Sequence, residues 1–206
     1  LRLSLPAAGE RLMMRAGDVV IIAIVVVFGT DAVAGNAIGE VLTQFNYMPA
    51  FGVATATVML VAHAVGEGDM QAVGLIRQRA FWLSFACMLP LALGIFALGR
   101  PLTLLYTDNS GAITASLSVI LFSLLGTPMA VGTVIYTAVW QGLGNARLPF
   151  YATTIGMWLI RIIAGYVLGV TCGFGLPGVW AGTLLDNGFR WLFLKVLFDR
   201  KMRNIA

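Results

Sequence analysis

Charge is scarce in this sequence. Aspartate, glutamate, lysine and arginine make up 11% of its 206 residues, roughly half the share a soluble domain carries. Cysteine is scarcer still. Cys87 lies in an apolar run and Cys172 in a short Gly-rich stretch, too few and too far apart for a disulfide scaffold or a C-x-x-C site. Histidine occurs once, as His63 near the end of an apolar segment, where a solvated helix end accounts for it more simply than a ligand or proton site. No Walker A motif and no G-x-S-x-G motif is present. Gly66-x-Gly68 and Gly173-x-Gly175 follow no strand, so they read as turns and not as nucleotide cradles. These absences argue against an enzyme. The net charge of +4 and pI near 9.4 do not point to nucleic acid either, because the basic residues are scattered at the ends of apolar runs.

What the chain has in abundance is apolar surface. It is 59% hydrophobic with a mean hydropathy of +0.90, in continuous runs with no period of two, which favours membrane helices over a barrel. Six spans are expected, at about 3–28, 37–65, 80–98, 115–140, 150–170 and 179–198, each able to cross a hydrocarbon core of ~30 Å at ~1.5 Å per residue. The fold class is therefore an all-α membrane protein, a polytopic bundle of six transmembrane helices forming one domain. A hairpin is expected at 29–35 and a linker at 106–111. Pro49, Pro90 and Gly126-Thr127-Pro128 are places where the spans can bend or break.

An even number of spans returns the chain to its starting side. Arg2, Arg77, Arg79, Arg147, Arg200, Lys201 and Arg203 then share one face, and Arg100 stands on the other. This asymmetry puts both termini in the cytoplasm, with the lipid bilayer as the first partner. The chain opens Leu1-Arg2-Leu3-Ser4-Leu5-Pro6 without an initiator Met and is expected to be part of a longer polypeptide.

Charges inside the spans are the functional candidates, since each is costly in hydrocarbon. Asp18, Arg161, Asp186 and Arg190 fall near the middle of their spans, and Glu10 lies closer to the basic face. Arg11, Arg15 and Asp18 are spaced to share one helix face. Asp186 and Arg190 are spaced to pair along a helix, and Arg161 is an alternative partner for Asp186 from the preceding span. A buried pair that fixes helix register explains these three without any transport role. For Glu10 the simpler reading is a water-exposed carboxylate near Arg11. Asn46 and Tyr47, followed by Met48, are packing residues or contacts for a flat cation.

Four stretches resemble the multidrug and toxic compound extrusion (MATE) transporters: PAAGE in the first span, the VGEGD turn at 65–69, GLGNARLPF leading to WLIR at 142–161, and GFGLPGVWAGTLL before the last span. His63 departs from the pattern, standing where the family has Gln. The resemblance covers nearly the whole chain and implies the seventh to twelfth helices of a twelve-helix transporter, one lobe of two. It further implies a bacterial plasma (inner) membrane antiporter coupled to H+ or Na+, needing no other cofactor. Such a lobe would work with a missing N-terminal six-helix lobe to export drugs, toxins or metabolites, small organic and cationic. An acidic residue a few positions after Pro6, here Glu10, would line the cavity. Two alternatives stay open: a lipid-linked sugar flippase of the same superfamily, favoured by unmatched inward arginines, and a transport-inactive scaffold half.

Overall fold

The computed structural model describes residues 4–203, and every element within them is helical. Arg2 on the basic face and Leu3 at the expected start of the first span lie outside the described residues. Helix α1 covers Ser4–Val26, α2 Thr30–Gly66 and α3 Met70–Ala97. A short α4 (Gly99–Leu104) precedes α5 (Ser110–Gly142). A fifth long rod, Arg147–Thr171, is built from α6 (Arg147–Ile155), a π-helical segment (Gly156–Arg161), α7 (Ile162–Tyr166) and a second π-helical segment (Val167–Thr171). Helix α8 (Leu176–Arg203) closes the chain. Among the described residues, α2, α3, α5 and the 147–171 rod are long and apolar enough to span a membrane. Helices α1, of 23 residues, and α8, of 28, carry the charges of interest.

The helices run further than the hydropathy pattern suggests. The expected hairpin at 29–35 shrinks to a tight turn through Gly29, whose φ of 95° an L side chain rarely adopts, and α2 starts at Thr30. Asp69 caps α3 by accepting from the Ala72 amide at 2.9 Å, so α3 begins ten residues before the expected span at Ala80. Most of the expected linker at 106–111 survives, but Asn109 caps α5 through the amides of Gly111 and Ala112 and holds Asp31 with its own amide at 2.9 Å. Helix α5 is also not broken at Gly126-Thr127-Pro128 but passes through it.

Two apolar clusters hold the bundle. Toward the end that carries the Gly68 turn, Val61, Val73, Tyr136, Trp140, Leu194 and Phe198 join α2, α3, α5 and α8. There Arg77 donates to the Tyr136 hydroxyl at 2.6 Å and sits 5.4 Å from the centre of the Phe198 ring. Toward the end with the Gly29 and Gly173 turns, Ile21, Val25, Val119, Val179 and Trp180 tie α1 to α5 and α8. Along α8, Asp186 and Arg190 fall between these clusters.

Close approach of α8 to the 147–171 rod depends on glycine. A Cβ at Gly182 would lie 2.8 Å from the Gly165 nitrogen and 3.0 Å from the Arg161 carbonyl oxygen, both backbone atoms that cannot rotate away. Gly182→Val should therefore cost at least about 1–3 kcal/mol through overpacking. A clear fall in the melting temperature of the purified protein is expected; an unchanged one would refute the close packing.

Candidate functional site

The site is a polar layer between the two apolar clusters. Helix α8 sets Asp186 and Arg190 one turn apart, and Arg190 Nη2 donates to Asp186 Oδ2 at 2.5 Å. The two residues are 0% and 4% exposed, so the pair has left water entirely. Among the described residues, Asp186 Oδ1 and Arg190 Nε have no hydrogen-bond partner. Such a pair holds only while both members are charged, since each desolvated ion is compensated by the other. Gly156 makes room for it: a Cβ there would collide with Asp186 Oδ1 and lie 2.9 Å from Arg190 Cγ. Gly156 opens the first π-helical segment, whose wider turn is a frequent feature of functional helices.

One turn earlier on the same rod, Thr153 donates its hydroxyl to Glu10 Oε1 at 3.1 Å. Thr153 is buried and Glu10 half-buried, so Glu10 is held against the rod and is not the freely exposed carboxylate beside Arg11 that the simpler reading expects. Arg190, Arg11 and Gln141 also act on this carboxylate. Glu10 is the one acidic group of the layer that forms no ion pair within 4.0 Å among the described residues.

At the far end of the π-helical segment, Arg161 reaches α1. Its Nη1 lies 3.6 Å from Asp18 Oδ1 and 3.6 Å from the Met157 sulfur, while Arg15 approaches Asp18 Oδ2 at 3.5 Å. At 3.5 and 3.6 Å these are ion pairs and not hydrogen bonds. The alternative pairing of Arg161 with Asp186 is thus not adopted: the rod turns Arg161 toward α1, and Asp186 is taken by Arg190 on its own helix. Tyr47 from α2 completes the layer, in the field of Arg161, Arg190 and Asp186.

Comparison with known proteins fits this arrangement. A family model described as MatE matches residues 6–167. The chain belongs to the MatE family. It is 32% identical to the probable multidrug resistance protein NorM of Thermotoga maritima, over 96% of this chain and 42% of that protein. It is 28% identical to the multidrug resistance protein MdtK of Photorhabdus laumondii, over 76% of this chain and 35% of the relative. The chain thus spans less than half the length of these curated relatives. A crystal structure of MATE in the straight conformation superposes with a TM-score of 0.92 at 18% identity, covering 99% of this chain and 46% of that one; at that identity the likeness concerns the fold alone. The MatE family is one of integral membrane transporters, not of enzymes.

Within this MatE lobe, the structure brings Glu10, Asp18, Tyr47, Arg161, Asp186 and Arg190 into one layer. Asn46 is not part of it. It is 1% exposed on another flank of α2, where it and Thr43 line a crevice facing α3 and α5 that is too narrow for a water. His63 is exposed at the end of α2, 3.4 Å from Glu67. Cys87 and Cys172 are exposed free thiols. Thr153, Gly156 and Met157 were not predicted from the sequence. Their only sequence signal is that they precede Arg161 on its own helix, and the π-helical turn blurs even that periodicity.

The buried pair makes a stability prediction. Asp186→Asn leaves the Arg190 guanidinium buried without its counter-ion and should cost about 3–5 kcal/mol. Asp186→Asn combined with Arg190→Gln removes both charges and should recover much of that loss. Thermal unfolding of the three proteins checks this; a double variant no more stable than the single one would contradict the pairing.

Proposed function

We propose that this chain is one lobe of an H+- or Na+-coupled antiporter that exports small organic cations by alternating access, together with a second six-helix lobe. Glu10 is the observation that carries the reading. An antiporter needs a group that takes up the coupling ion in one state and releases it in another, and a carboxylate in a partly dehydrated site suits that task. Asp18 and Asp186 are committed to arginines. Glu10 is held by a neutral hydroxyl, so a proton or sodium ion can bind its second oxygen without breaking an ion pair. Arg190, fixed on α8 by Asp186, supplies an opposing positive charge whose effect changes with small shifts of α1.

The flippase reading asks for unmatched inward arginines. Here Arg161 faces Asp18 and Arg190 faces Asp186, which favours the exporter. A scaffold role needs no unpaired carboxylate held inside the bundle.

The test uses the transporter that carries this lobe, in proteoliposomes with an imposed ion gradient. Glu10→Gln should abolish gradient-driven export while leaving substrate binding measurable. Asp18→Asn should chiefly lower folded yield, because it strips Arg161 of its carboxylate. If Glu10→Gln exports at the parental rate with unchanged proton and sodium dependence, the coupling site lies elsewhere.

The topology proposed for a bacterial plasma membrane places the Gly68 and Arg147 turns and both termini in the cytoplasm. The native Cys172 serves as reporter once Cys87 is changed to alanine. It should react with an impermeant thiol reagent added outside cells, whereas Glu67→Cys, with Cys87 and Cys172 both changed to alanine, should not. The reverse pattern inverts the assignment.

A further inference from the structure

Helices α3 and α8 both pack on α5 and meet each other over it in a seam. Phe81 of α3 stacks there on Trp191 of α8, with 6.0 Å between ring centroids and 18° between planes. Helix α3 leaves the Gly68 end and α8 returns to it, so Arg77 and Lys195 each stand one turn from that stack, on the Gly68 side. Arg77 lies across the seam. Its Nη1 donates to the Tyr136 hydroxyl on α5 at 2.6 Å, and its guanidinium sits 5.4 Å from the centre of the Phe198 ring on α8. Lys195 Nζ lies 5.9 Å from the centre of the Trp191 ring. Among the described residues neither cation has a carboxylate within 4.0 Å, Asp199 one turn beyond Lys195 included. Arg77 Nε is buried without a hydrogen-bond partner.

Two positive charges on facing walls of one seam repel each other unless an anion lies between them. Snorkelling does not account for both, because Arg77 is held sideways by α5 and α8 and is not extended along its own helix toward water. Each cation lies ~12 Å in from its helix end, at Asp69 or Arg203. Both helices have 28 residues, so each is ~42 Å long and overhangs a ~30 Å hydrocarbon core by ~6 Å at either end. Both α-carbons therefore lie ~6 Å inside the core, a depth from which long basic side chains reach lipid phosphates. Trp82 marks the same level. It is 59% exposed, meets Phe81 and Phe85 edge-on at 5.7 and 6.0 Å, and tryptophan collects at the membrane–water interface.

We propose that the α3–α8 seam binds one anionic phospholipid of the leaflet at the Gly68 end. Its phosphate bridges Arg77 and Lys195, and an acyl chain follows the exposed edge of Phe81, Trp82 and Phe85 toward the bilayer centre. A zwitterionic headgroup fits less well, since its own positive group is repelled by the same two cations. Bound there, the lipid ties α3 to α8 across α5. The site depends on neither Glu10 nor the direction of transport.

The experiment takes the purified transporter that carries this lobe, delipidated in a neutral detergent. It is titrated with phosphatidylglycerol or with phosphatidylcholine, and bound lipid is counted by native mass spectrometry. The parent should hold one phosphatidylglycerol at least about tenfold more tightly than phosphatidylcholine. Lys195→Gln should lose at least about threefold of that affinity, and Arg77→Gln combined with Lys195→Gln at least about tenfold. Lys195→Arg keeps the charge and should bind like the parent. Arg79→Gln combined with Arg200→Gln removes two cations of the same rim that helical spacing turns away from the seam, and should leave binding unchanged. Arg77 also holds Tyr136, so Lys195→Gln decides the matter where the double seam variant fails to fold. Equal binding of both lipids by the parent overturns the site, as does parental phosphatidylglycerol affinity in Lys195→Gln. An equal loss in the Arg79 and Arg200 double variant also overturns it, since the basic rim then attracts lipid without a seam. Displacement of the lipid by millimolar inorganic phosphate would show a site for free anions and overturn the lipid assignment.

Discussion

The buried Asp186–Arg190 pair is the constraint on which the rest of the site depends. Apolar side chains on neighbouring helices would pack at this level without any charge. Two ions placed there must instead be compensated by each other, within one helix, in a space that only a glycine on the facing rod can leave. That requirement fixes the rotation of α8 against the 147–171 rod. It thereby sets where Thr153 and Arg161, one turn before and just over one turn after Gly156, meet α1. Glu10 and Asp18 find their partners because α8 and the rod are already locked. The apolar clusters above and below close the layer from both ends, so its polar groups have few ways to rearrange.

Within the layer the acids divide by commitment. Asp186 and Asp18 each face arginine, and moving either would expose a charge without a partner. Glu10 faces a hydroxyl, a neutral donor that costs little to lose. A transporter needs both kinds of group: paired charges that preserve helix register through a conformational cycle, and unpaired carboxylates that exchange ligands. Among the described residues, Glu10 on α1 is the acid of the layer without an ion pair, and the paired charges tie α1, the rod and α8 together.

The sequence was most legible where long-range packing mattered least. The all-helical fold, its long apolar helices and the turns at Gly68 and Gly144 followed from hydropathy and glycine, both local signals. Helix ends were less legible, because Asp69 and Asn109 extend α3 and α5 beyond their apolar cores by capping, which hydropathy does not register. At the site, the i, i+4 spacing of Asp186 and Arg190 was enough to name the pair. The partner of Arg161 was not readable, since the π-helical turn from Gly156 to Arg161 rotates that side chain away from where a regular α-helix would put it. Asn46 and Tyr47 are adjacent in sequence and point to different flanks of α2, a distinction that only the packing of α2 against α5 decides.

Glu40 shows how such a residue stays hidden. In the sequence it reads as an ordinary charge near the start of a span, where snorkelling to the headgroups would dispose of it. Its setting becomes informative only when Trp180, 140 residues later in the chain, is seen to hold Asn36. A snorkelling glutamate needs no oriented amide behind it, and a buried indole whose N–H must find an acceptor could have been satisfied by a backbone carbonyl, as Trp140 is by Leu194. That the indole is instead spent on an amide that orients a carboxylate is what separates Glu40 from a surface charge. Glu40 and Glu10 also differ in their surroundings. Glu10 is enclosed between helices, where an ion without its water can be held. Glu40 is half-buried on α2 and held by the side chain of Asn36.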